Sequence, residues 1–384
     1  MERSWTQRVQ LLTAWITLFL MGTDLFVVSP LLPSIANQFK VEASTAGWMV
    51  TVFSLMYAFG APWFGALSDK WGRRRMIMIG LTGFMAANAV TGLASTFLIL
   101  LGSRILAGLS ASMVAASVFA ITGDTAPQGK SGRWLAIVTT GFLTALWTGA
   151  PIGTITGQIF GWRVIFIALA VVAILLAILN ARIWPSQSAS RAKSALPEMG
   201  RLGQILLDVA VTMFWAGGVY GLYTYLGTGL KSVNDFSSGL VAVALVVYGI
   251  GAIAGSLSGG KLADVWNVRA VPTLALVMLA LALAALGLLF SNMVWLWPLL
   301  AIMAFAGYVS FSSFQARLAI RFPDRLGTAM AWNQTAMYAG ITLGSVFGSW
   351  FISIGSFTAW PILCGVFVLL GAVWLLIRIK VAQT

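Results

Sequence analysis

The sequence feature that most constrains this chain is a series of twelve apolar runs, each about 20 residues long. A helix of that length crosses the hydrocarbon core of a bilayer, and the runs lack the alternating pattern of barrel strands. Only 9% of the residues are charged, against about 25% in a soluble domain. The sequence therefore predicts an all-α polytopic membrane protein and excludes a water-soluble enzyme. The predicted spans are 10–31, 45–66, 76–97, 98–122, 134–156, 163–184, 205–228, 239–260, 271–290, 294–316, 327–351 and 358–378.

Basic residues are distributed unevenly between the segments that connect these spans. The chain has 23 Lys and Arg against 10 Asp and Glu, a net charge of +13. With the N-terminus inside, 19 of the 23 fall in or beside inner segments, Arg104 lies within a span, and Lys40, Arg163 and Lys231 lie outside. This bias predicts a multi-pass protein of the cytoplasmic membrane with both termini in the cytoplasm. The basic excess thus reflects topology and does not indicate nucleic-acid binding.

The residue types that bind soft metals and form disulfides are nearly absent. The chain has no His and a single Cys, Cys364, in the last predicted span. An intrachain disulfide is therefore impossible, and no metal site is expected. The sequence also lacks a Gly-x-x-x-x-Gly-Lys-Ser/Thr phosphate-binding loop, so no nucleotide is implied. We expect no cofactor, with a proton gradient as the energy source.

Asp24 stands in the first run, Leu11–Pro30, which is otherwise almost wholly apolar. A carboxylate at membrane depth costs about 2.5–3.5 kcal/mol on insertion scales and is rare without a function. Because the chain has no His, a carboxylate has to carry any coupled proton. Arg104 lies at a similar depth and either snorkels outward or pairs with a buried acid, for which we infer Asp24. Asp208, near the start of the seventh span, is expected to be interfacial, in reach of Arg201 or water.

The two halves of the chain repeat. The segment Gly65–Arg74 recurs as Gly260–Arg269, with identical Gly, Leu, Asp, Trp and Arg at an offset of 195 residues. Two glycines of the fifth span recur in the eleventh at the same offset. Parallel repeats are a known transporter architecture, in which two halves rock about a site near the midplane. We predict an N-terminal six-helix bundle, a polar cytoplasmic linker and a C-terminal six-helix bundle, at residues 1–184, 185–204 and 205–384.

The loop after the second span reads Gly65-x-x-x-Asp69-Lys70-x-Gly72-Arg73-Arg74-Arg75. Its glycines allow a tight turn and the close approach of two helix ends, and Asp69 can bond a helix end or pair with the arginines. This pattern resembles the signature loop of the major facilitator superfamily, and the resemblance covers all twelve spans. It implies the major facilitator fold, with twelve transmembrane helices as two six-helix repeats.

In that superfamily the loop latches the cytoplasmic side in the outward-facing state, together with an acid at the inner end of the fourth span. The resemblance implies a gating role for this loop, its repeat copy and Asp124. The gating residues are then Gly65, Asp69, Gly72, Arg73, Arg74, Asp124, Asp264 and Arg269. A plain basic loop, with Asp124 as a solvated charge, is the alternative interpretation.

The fourth span carries Leu101-Gly-Ser-Arg104-Ile-Leu-Ala-Gly108, which resembles the Arg-and-Gly signature of proton-coupled drug antiporters and implies a proton-relay role for Arg104. Together with segments of spans 1, 7 and 11, the chain looks like the drug:proton antiporter family with twelve spans, near its chloramphenicol, arabinose and purine exporters. Those segments are Gly22–Pro33, Tyr223–Leu226 and Asn333–Gly340. The small residues of the fifth span resemble the antiporter signature, from which Ala150 and Thr154 depart. Ordinary helix packing explains the same spacing, so an uptake symporter stays an alternative. The residues of this motif are Gly149, Pro151 and Gly153.

The substrate surface is predicted from aromatic and amide side chains, mostly on spans that face the cavity in this superfamily. With no charge in the cavity beyond Asp24, its lining is expected to be aromatic with a few polar groups. The candidates are Phe26, Tyr57, Met113, Tyr223, Tyr225, Tyr308, Gln315, Asn333 and Tyr338. Gln334 adjoins Asn333, and amides deep in a span need partners.

Together these features predict a monomeric, proton-coupled secondary transporter that exports small apolar or amphipathic compounds by alternating access. Its partners are then a small-molecule substrate, protons and the lipid bilayer. The alternatives are an exporter of one metabolite such as a sugar, purine or amino acid, an uptake symporter, and a membrane receptor or scaffold. A single tight ligand would indicate the metabolite exporter, and activity independent of Asp24 would indicate the receptor.

Overall fold

The computed structural model describes residues 2–127, 131–185, 199–262, 265–266, 270–322, 325–354 and 357–381. These residues are almost entirely helical, which confirms the predicted fold class. The helices are α1 Glu2–Phe26, α2 Val28–Phe39, α3 Ala43–Ala46, α4 Trp48–Trp71, α5 Arg73–Leu93, α6 Phe97–Thr125, α7 Ser131–Thr144, α8 Ala150–Phe160, α9 Trp162–Ile183, α10 Met199–Asn234, α11 Ser238–Leu262, α12 Ala270–Leu288, α13 Met293–Arg321, α14 Leu326–Ile354 and α15 Ala359–Val381.

Prolines divide two of the predicted spans into shorter helices. Pro30 has no N–H for the Phe26 carbonyl, and the first span breaks at Val27 into α1 and α2. Pro151 likewise cannot donate to the carbonyl of Trp147, and residues 145–149 widen into a π-helical turn between α7 and α8. Within the described ranges, eleven helices are long and apolar enough to cross a membrane. The predicted fifth span is missing from that count because the π turn divides it.

The seventh span begins earlier than predicted. Helix α10 starts at Met199, inside the stretch 185–204 that was expected to be a linker. Residues 186–198 of that stretch lie outside the described residues.

Helices pair in the same pattern in both halves of the chain. In the first half, α1 packs on α7, α4 on α6, and α5 on α6 and α9. In the second half, α10 packs on α14, α11 on α13, and α12 on α13 and α15. The halves meet where α4 contacts α14, α2 contacts α10, and α8 contacts α11.

Small residues bring the helices of the fifth span against those of the first. A Cβ added at Gly149 would lie 2.4 Å from the Thr23 hydroxyl oxygen, and one at Gly153 would lie 2.2 Å from Val27. In the second half, a Cβ added at Gly344 would lie 2.3 Å from the Gly217 carbonyl oxygen. The contact recurs in both repeats, so it serves the fold of each half.

The two ends of the bundle are marked by contacts between helix termini. At what we call the distal end, the Trp162 indole donates to Gln38 at 2.6 Å and Asn234 donates to the Phe290 carbonyl at 2.9 Å. We call the opposite end, where α1 begins and α15 ends, the terminal end.

Candidate functional site

Asp24 and Arg104 form an ion pair between α1 and α6, inside the first half of the chain. Their side chains are 0% exposed, and two parallel hydrogen bonds join them: Nη1 to Oδ1 at 3.0 Å and Nη2 to Oδ2 at 2.9 Å. Asp24 lies in the last turn of α1, and Arg104 lies two turns into α6. Of the two interpretations left open for Arg104, pairing is the one that the structure shows.

Aromatic rings surround the guanidinium of this pair. Arg104 Cζ lies 4.7 Å from the centroid of the Phe53 ring and 5.8 Å from that of Phe166. Losing one member of a buried ion pair costs about 3–5 kcal/mol, because the other charge is left uncompensated. The geometry therefore places a permanent cation, itself faced by the Phe53 ring, directly against the Asp24 carboxylate.

The ion pair belongs to one half only. At the offset of 195 residues, Val219 stands in the place of Asp24 and Leu299 in the place of Arg104. The second bundle forms the same helix pairs without these charges. The fold therefore does not require the ion pair, and a functional reason for it is favoured.

A cavity lies on the terminal side of the ion pair, between the two halves; its empty space, together with adjoining open solvent, amounts to about 460 Å³. Helices α1, α4, α6 and α7 line it from the first half, and α10, α13 and α14 line it from the second. No charged side chain is among the described residues that form its wall. The lining residues are Leu18, Met21, Tyr57, Ala115, Phe119, Thr139, Phe142, Leu143, Tyr220, Phe311, Gln334, Met337 and Tyr338.

Tyrosine rings form part of this wall and of the layer behind it. Tyr57 of α4 and Tyr338 of α14 stack across the boundary between the halves, with centroids 3.4 Å apart and planes 17° apart. Tyr220 also lines the cavity, and its hydroxyl lies 3.1 Å from that of Tyr308. All seven tyrosines of the chain are buried.

Beyond the stacked pair, hydrogen bonds hold the halves together at the distal end. Ser345 of α14 donates to the Gly47 carbonyl at 3.1 Å, and Ser349 donates to the Ser44 carbonyl at 2.8 Å. The Tyr223 hydroxyl reaches the Phe26 carbonyl at 3.5 Å, the group that Pro30 leaves without an amide donor. These uncharged contacts join the halves on the distal side of the cavity.

The predicted substrate residues are divided by the structure. Tyr57 and Tyr338 line the cavity. Tyr308 packs behind it, against Tyr220, and Phe26 contacts Tyr220 and Tyr223 where the two halves meet. Tyr225 and Asn333 do not line the cavity. The Tyr225 hydroxyl donates to the Ser345 carbonyl, and the Asn333 side-chain carbonyl accepts from the Thr212 hydroxyl. Met113 and Gln315 are half-buried and do not line the cavity. Sequence reasoning missed Tyr220 and Phe311, because the sequence does not show which aromatic side chains face one another.

The loop between α4 and α5 is held at one end by an arginine. Gly72 has φ 89°, a conformation that favours glycine, and Arg73 then donates to the Ala120 carbonyl and pairs with Asp124 of α6. The close approach expected at Gly65 is wrong, because Gly65 lies inside α4 and nothing is within 4 Å of an added Cβ. The Asp69 side chain and the predicted gating residues Asp264 and Arg269 lie outside the described part of the chain. Arg74 is half-buried.

The prediction that Asp208 is an interfacial carboxylate is wrong. Its side chain is 2% exposed, and its two oxygens meet Arg378 Nε at 2.8 Å and Arg321 Nε at 2.9 Å. This clamp ties α10 to the terminal-end turns of α13 and α15. Arginines near the ends of two later spans were the available sequence signal, but their proximity depends on how three separated helices pack.

Replacing Asp208 by Asn is expected to lower the free energy of unfolding by about 3–5 kcal/mol, because two guanidinium groups lose their buried counter-charge. Thermal unfolding of purified protein in detergent measures the effect. Asp124→Asn is the matched control, since Asp124 is 40% exposed beside Arg73, and its loss should cost about 1 kcal/mol or less. Equal changes for the two variants would contradict the clamp.

The sequence of this chain is similar to those of known membrane transporters. A family model described as Major Facilitator Superfamily matches residues 14–319 and 212–383. The uncharacterized MFS-type transporter YtbD of Bacillus subtilis (strain 168) is 32% identical over 347 residues, covering 88% of this chain and 87% of that protein. A "Probable sugar efflux transporter" of Helicobacter pylori (strain G27) is 29% identical over 338 residues, covering 86% and 85%.

Solved structures share the fold at low sequence identity. A D-xylose-proton symporter matches with a TM-score of 0.81 at 17% identity, covering 96% of each chain. A bacterial homolog to the human lysosomal transporter Spinster, in an inward-facing and occupied conformation, matches with a TM-score of 0.77 at 18% identity, also over 96% of each chain. These likenesses extend over both bundles.

Proposed function

This chain belongs to the Major Facilitator Superfamily, and we propose that within it the protein exports small apolar or amphipathic compounds in exchange for protons. It is a multi-pass membrane transporter and not an enzyme, and transporters of this superfamily need no cofactor. The proposal includes both termini in the cytoplasm, as the distribution of Lys and Arg favours. It also includes the division into bundles 1–184 and 205–384.

The observation that carries the proposal is the buried Asp24–Arg104 pair. A membrane-embedded acid can be ionised and paired with the cation beside it, or neutral with a bound proton, and such acids mark proton relays in transporters. The chain has no His, and the pair is absent from the second repeat. If Asp24 binds a proton and the cavity binds substrate in alternation, the movement of protons in one direction is coupled to the movement of substrate in the other.

The cavity wall supports an apolar or amphipathic substrate. Eight of its residues are apolar and five end in a hydroxyl or an amide. A sugar would bring a hydroxyl on almost every carbon, and each one buried without a partner costs about 1–3 kcal/mol. A ring compound with one or two polar groups leaves fewer groups unsatisfied.

The arrangement of contacts supports alternating access. The halves are joined at the distal end through Ser44, Gly47, Ser345 and Ser349, while the cavity lies toward the terminal end. With the termini in the cytoplasm, this is an inward-facing arrangement. We assign the loop around Gly72, Arg73 and Asp124 to gating of the opposite side; the Arg73–Asp124 pair joins α5 to α6 within the first half and positions this loop. The small-residue contact at Gly149, Pro151 and Gly153 is proposed to hold the fifth span against the first within that half.

A second candidate is the exporter of one defined metabolite. The Helicobacter pylori relative carries the name of a sugar efflux transporter, and the five polar groups of the cavity could bind part of a sugar. An uptake symporter is the third candidate, because the fold alone does not fix the direction of the proton.

Reconstituted protein tests these candidates together. Purified full-length protein in pyranine-loaded liposomes would be offered radiolabelled chloramphenicol, L-arabinose and hypoxanthine under an imposed pH gradient. We expect chloramphenicol and protons to move in opposite directions. Transport of arabinose or hypoxanthine, but not of chloramphenicol, in exchange for protons would indicate the metabolite exporter. Solute and protons moving in the same direction, or solute moving without protons, would contradict antiport.

A further inference from the structure

The central cavity offers no charged side chain among its described lining residues. We propose that it selects uncharged ring compounds over organic cations, and that Gln334 is the polar group that orients them. This inference rests on the proposed function for the identification of the cavity as the transport site. It adds a charge rule and a specificity-determining residue.

The buried acids of the protein are already engaged. Among the described residues, the buried carboxylates are Asp24 and Asp208. Both oxygens of Asp24 accept from Arg104, and both oxygens of Asp208 meet arginines. An organic cation in the cavity would therefore find no free carboxylate, and burying an unpaired charge is unfavourable.

Proton exchange does not create a negative site. With Asp24 ionised, the Asp24–Arg104 pair has a net charge of zero, because the guanidinium is always protonated. With Asp24 protonated, the pair has a net charge of +1. In neither state does the pair attract a cation. A cationic substrate therefore cannot take the place of the proton at this pair.

Gln334 is the polar group in the wall that is best placed to bond a substrate. The Thr139 hydroxyl donates to the Leu135 carbonyl at 2.8 Å, and the Tyr220 and Tyr308 hydroxyls bond each other. The structure gives the half-buried Gln334 amide no hydrogen-bond partner among the described residues. Its carbonyl can accept from a substrate and its NH₂ can donate.

The stacked rings of Tyr57 and Tyr338 favour an aromatic solute. These rings lie in the wall on either side of the boundary between the halves. Aromatic solutes pack well on such rings, in offset or edge-to-face geometry. The class that fits both features is an uncharged aromatic compound with one amide, ketone or hydroxyl group.

Three isosteric ligands test the charge rule: 2-naphthamide, which is neutral, 2-naphthamidine, a cation, and 2-naphthoate, an anion. Binding to full-length protein in nanodiscs would be measured by calorimetry without a proton gradient, with empty nanodiscs as the blank. We expect saturable binding of 2-naphthamide at least about tenfold tighter than that of either ion. Equal or tighter binding of 2-naphthamidine, or no saturable binding of 2-naphthamide, overturns the charge rule.

Two substitutions test Gln334. Gln334→Leu should weaken 2-naphthamide binding roughly fivefold to tenfold, the effect of one neutral hydrogen bond. Gln334→Glu should add a negative charge to the wall and shift preference toward 2-naphthamidine. The matched control is Gln158→Glu, because Gln158 is exposed on α8 and does not line the cavity. Unchanged ligand preference in Gln334→Glu, with its unfolding temperature intact, overturns the role of Gln334.

The binding experiment separates this inference from the exporter assignment. It uses no gradient, so a failure of proton-coupled transport leaves the measured charge preference intact. Conversely, tight binding of the amidinium would remove the charge rule while proton exchange at Asp24 could still be observed in liposomes.

Discussion

Asn in place of Asp24 is expected to reduce pH-gradient-driven transport by about 100-fold or more, because the carboxamide cannot take up and release a proton. The carboxamide keeps the size of the side chain, and its carbonyl can still accept one hydrogen bond from Arg104. Exchange of labelled for unlabelled solute without a gradient should therefore continue. Transport in proteoliposomes, with and without a pH difference, measures both activities.

The control for this substitution is Asp235→Asn. Asp235 is exposed in the connection between α10 and α11 and has φ 53°, which asparagine also adopts readily. This variant should keep coupled transport. Undiminished coupled transport in Asp24→Asn would remove Asp24 from the mechanism, whereas loss of both coupled transport and exchange would point to misfolding.

Arg104→Ala is expected to shift the pH optimum of transport, because the ionised form of Asp24 loses the counter-charge that faces it. The same change leaves a buried charge without a partner whenever Asp24 ionises, which is worth about 3–5 kcal/mol. The pH profile of transport and the unfolding temperature at several pH values measure these effects.

Two further variants separate charge from geometry at this site. Arg104→Lys keeps the positive charge but loses the two parallel hydrogen bonds. We expect its pH optimum to stay closer to that of the wild type than the optimum of Arg104→Ala. The double variant Asp24→Asn/Arg104→Ala should be less destabilised than the sum of the single variants. An unaltered pH profile in Arg104→Ala would argue that the pair has no part in coupling.

The charge rule for the cavity and the ion pair support each other. In the proposed mechanism, the ion pair would carry the proton without adding a negative field to the cavity. The solute would then bind against rings and one amide, in contact with both halves. Rocking of the halves would separate Tyr57 from Tyr338 and change the shape of the cavity.

Much of the membrane architecture could be predicted before any contact was known. Apolar runs of bilayer length predict helices, because an unsatisfied backbone in lipid is too costly. The repeat at 195 residues predicts two similar bundles, and the structure shows equivalent helix pairs in the two halves. The depth of Asp24 and Arg104 along their spans was enough to suggest a pair.

Side-chain neighbours across different helices were harder to predict. Asp208 was placed near water because its position along the seventh span is close to one end. Burial depended on α13 and α15, whose arginines lie more than one hundred residues away in sequence. Met113 and Gln315 were expected in the cavity because they stand on suitable spans, but their faces do not line it.

The sequence by itself determined that this chain is a duplicated helical membrane protein with one costly acid in its first span. Hydrophobic length and charge placement act locally, so they can be read along the chain. Only the tertiary structure decided that Asp208 is neutralised by two arginines, and that Tyr57, Tyr220, Gln334 and Tyr338 share one cavity. Those facts depend on helix rotation and on packing between distant segments, which residue order alone does not specify.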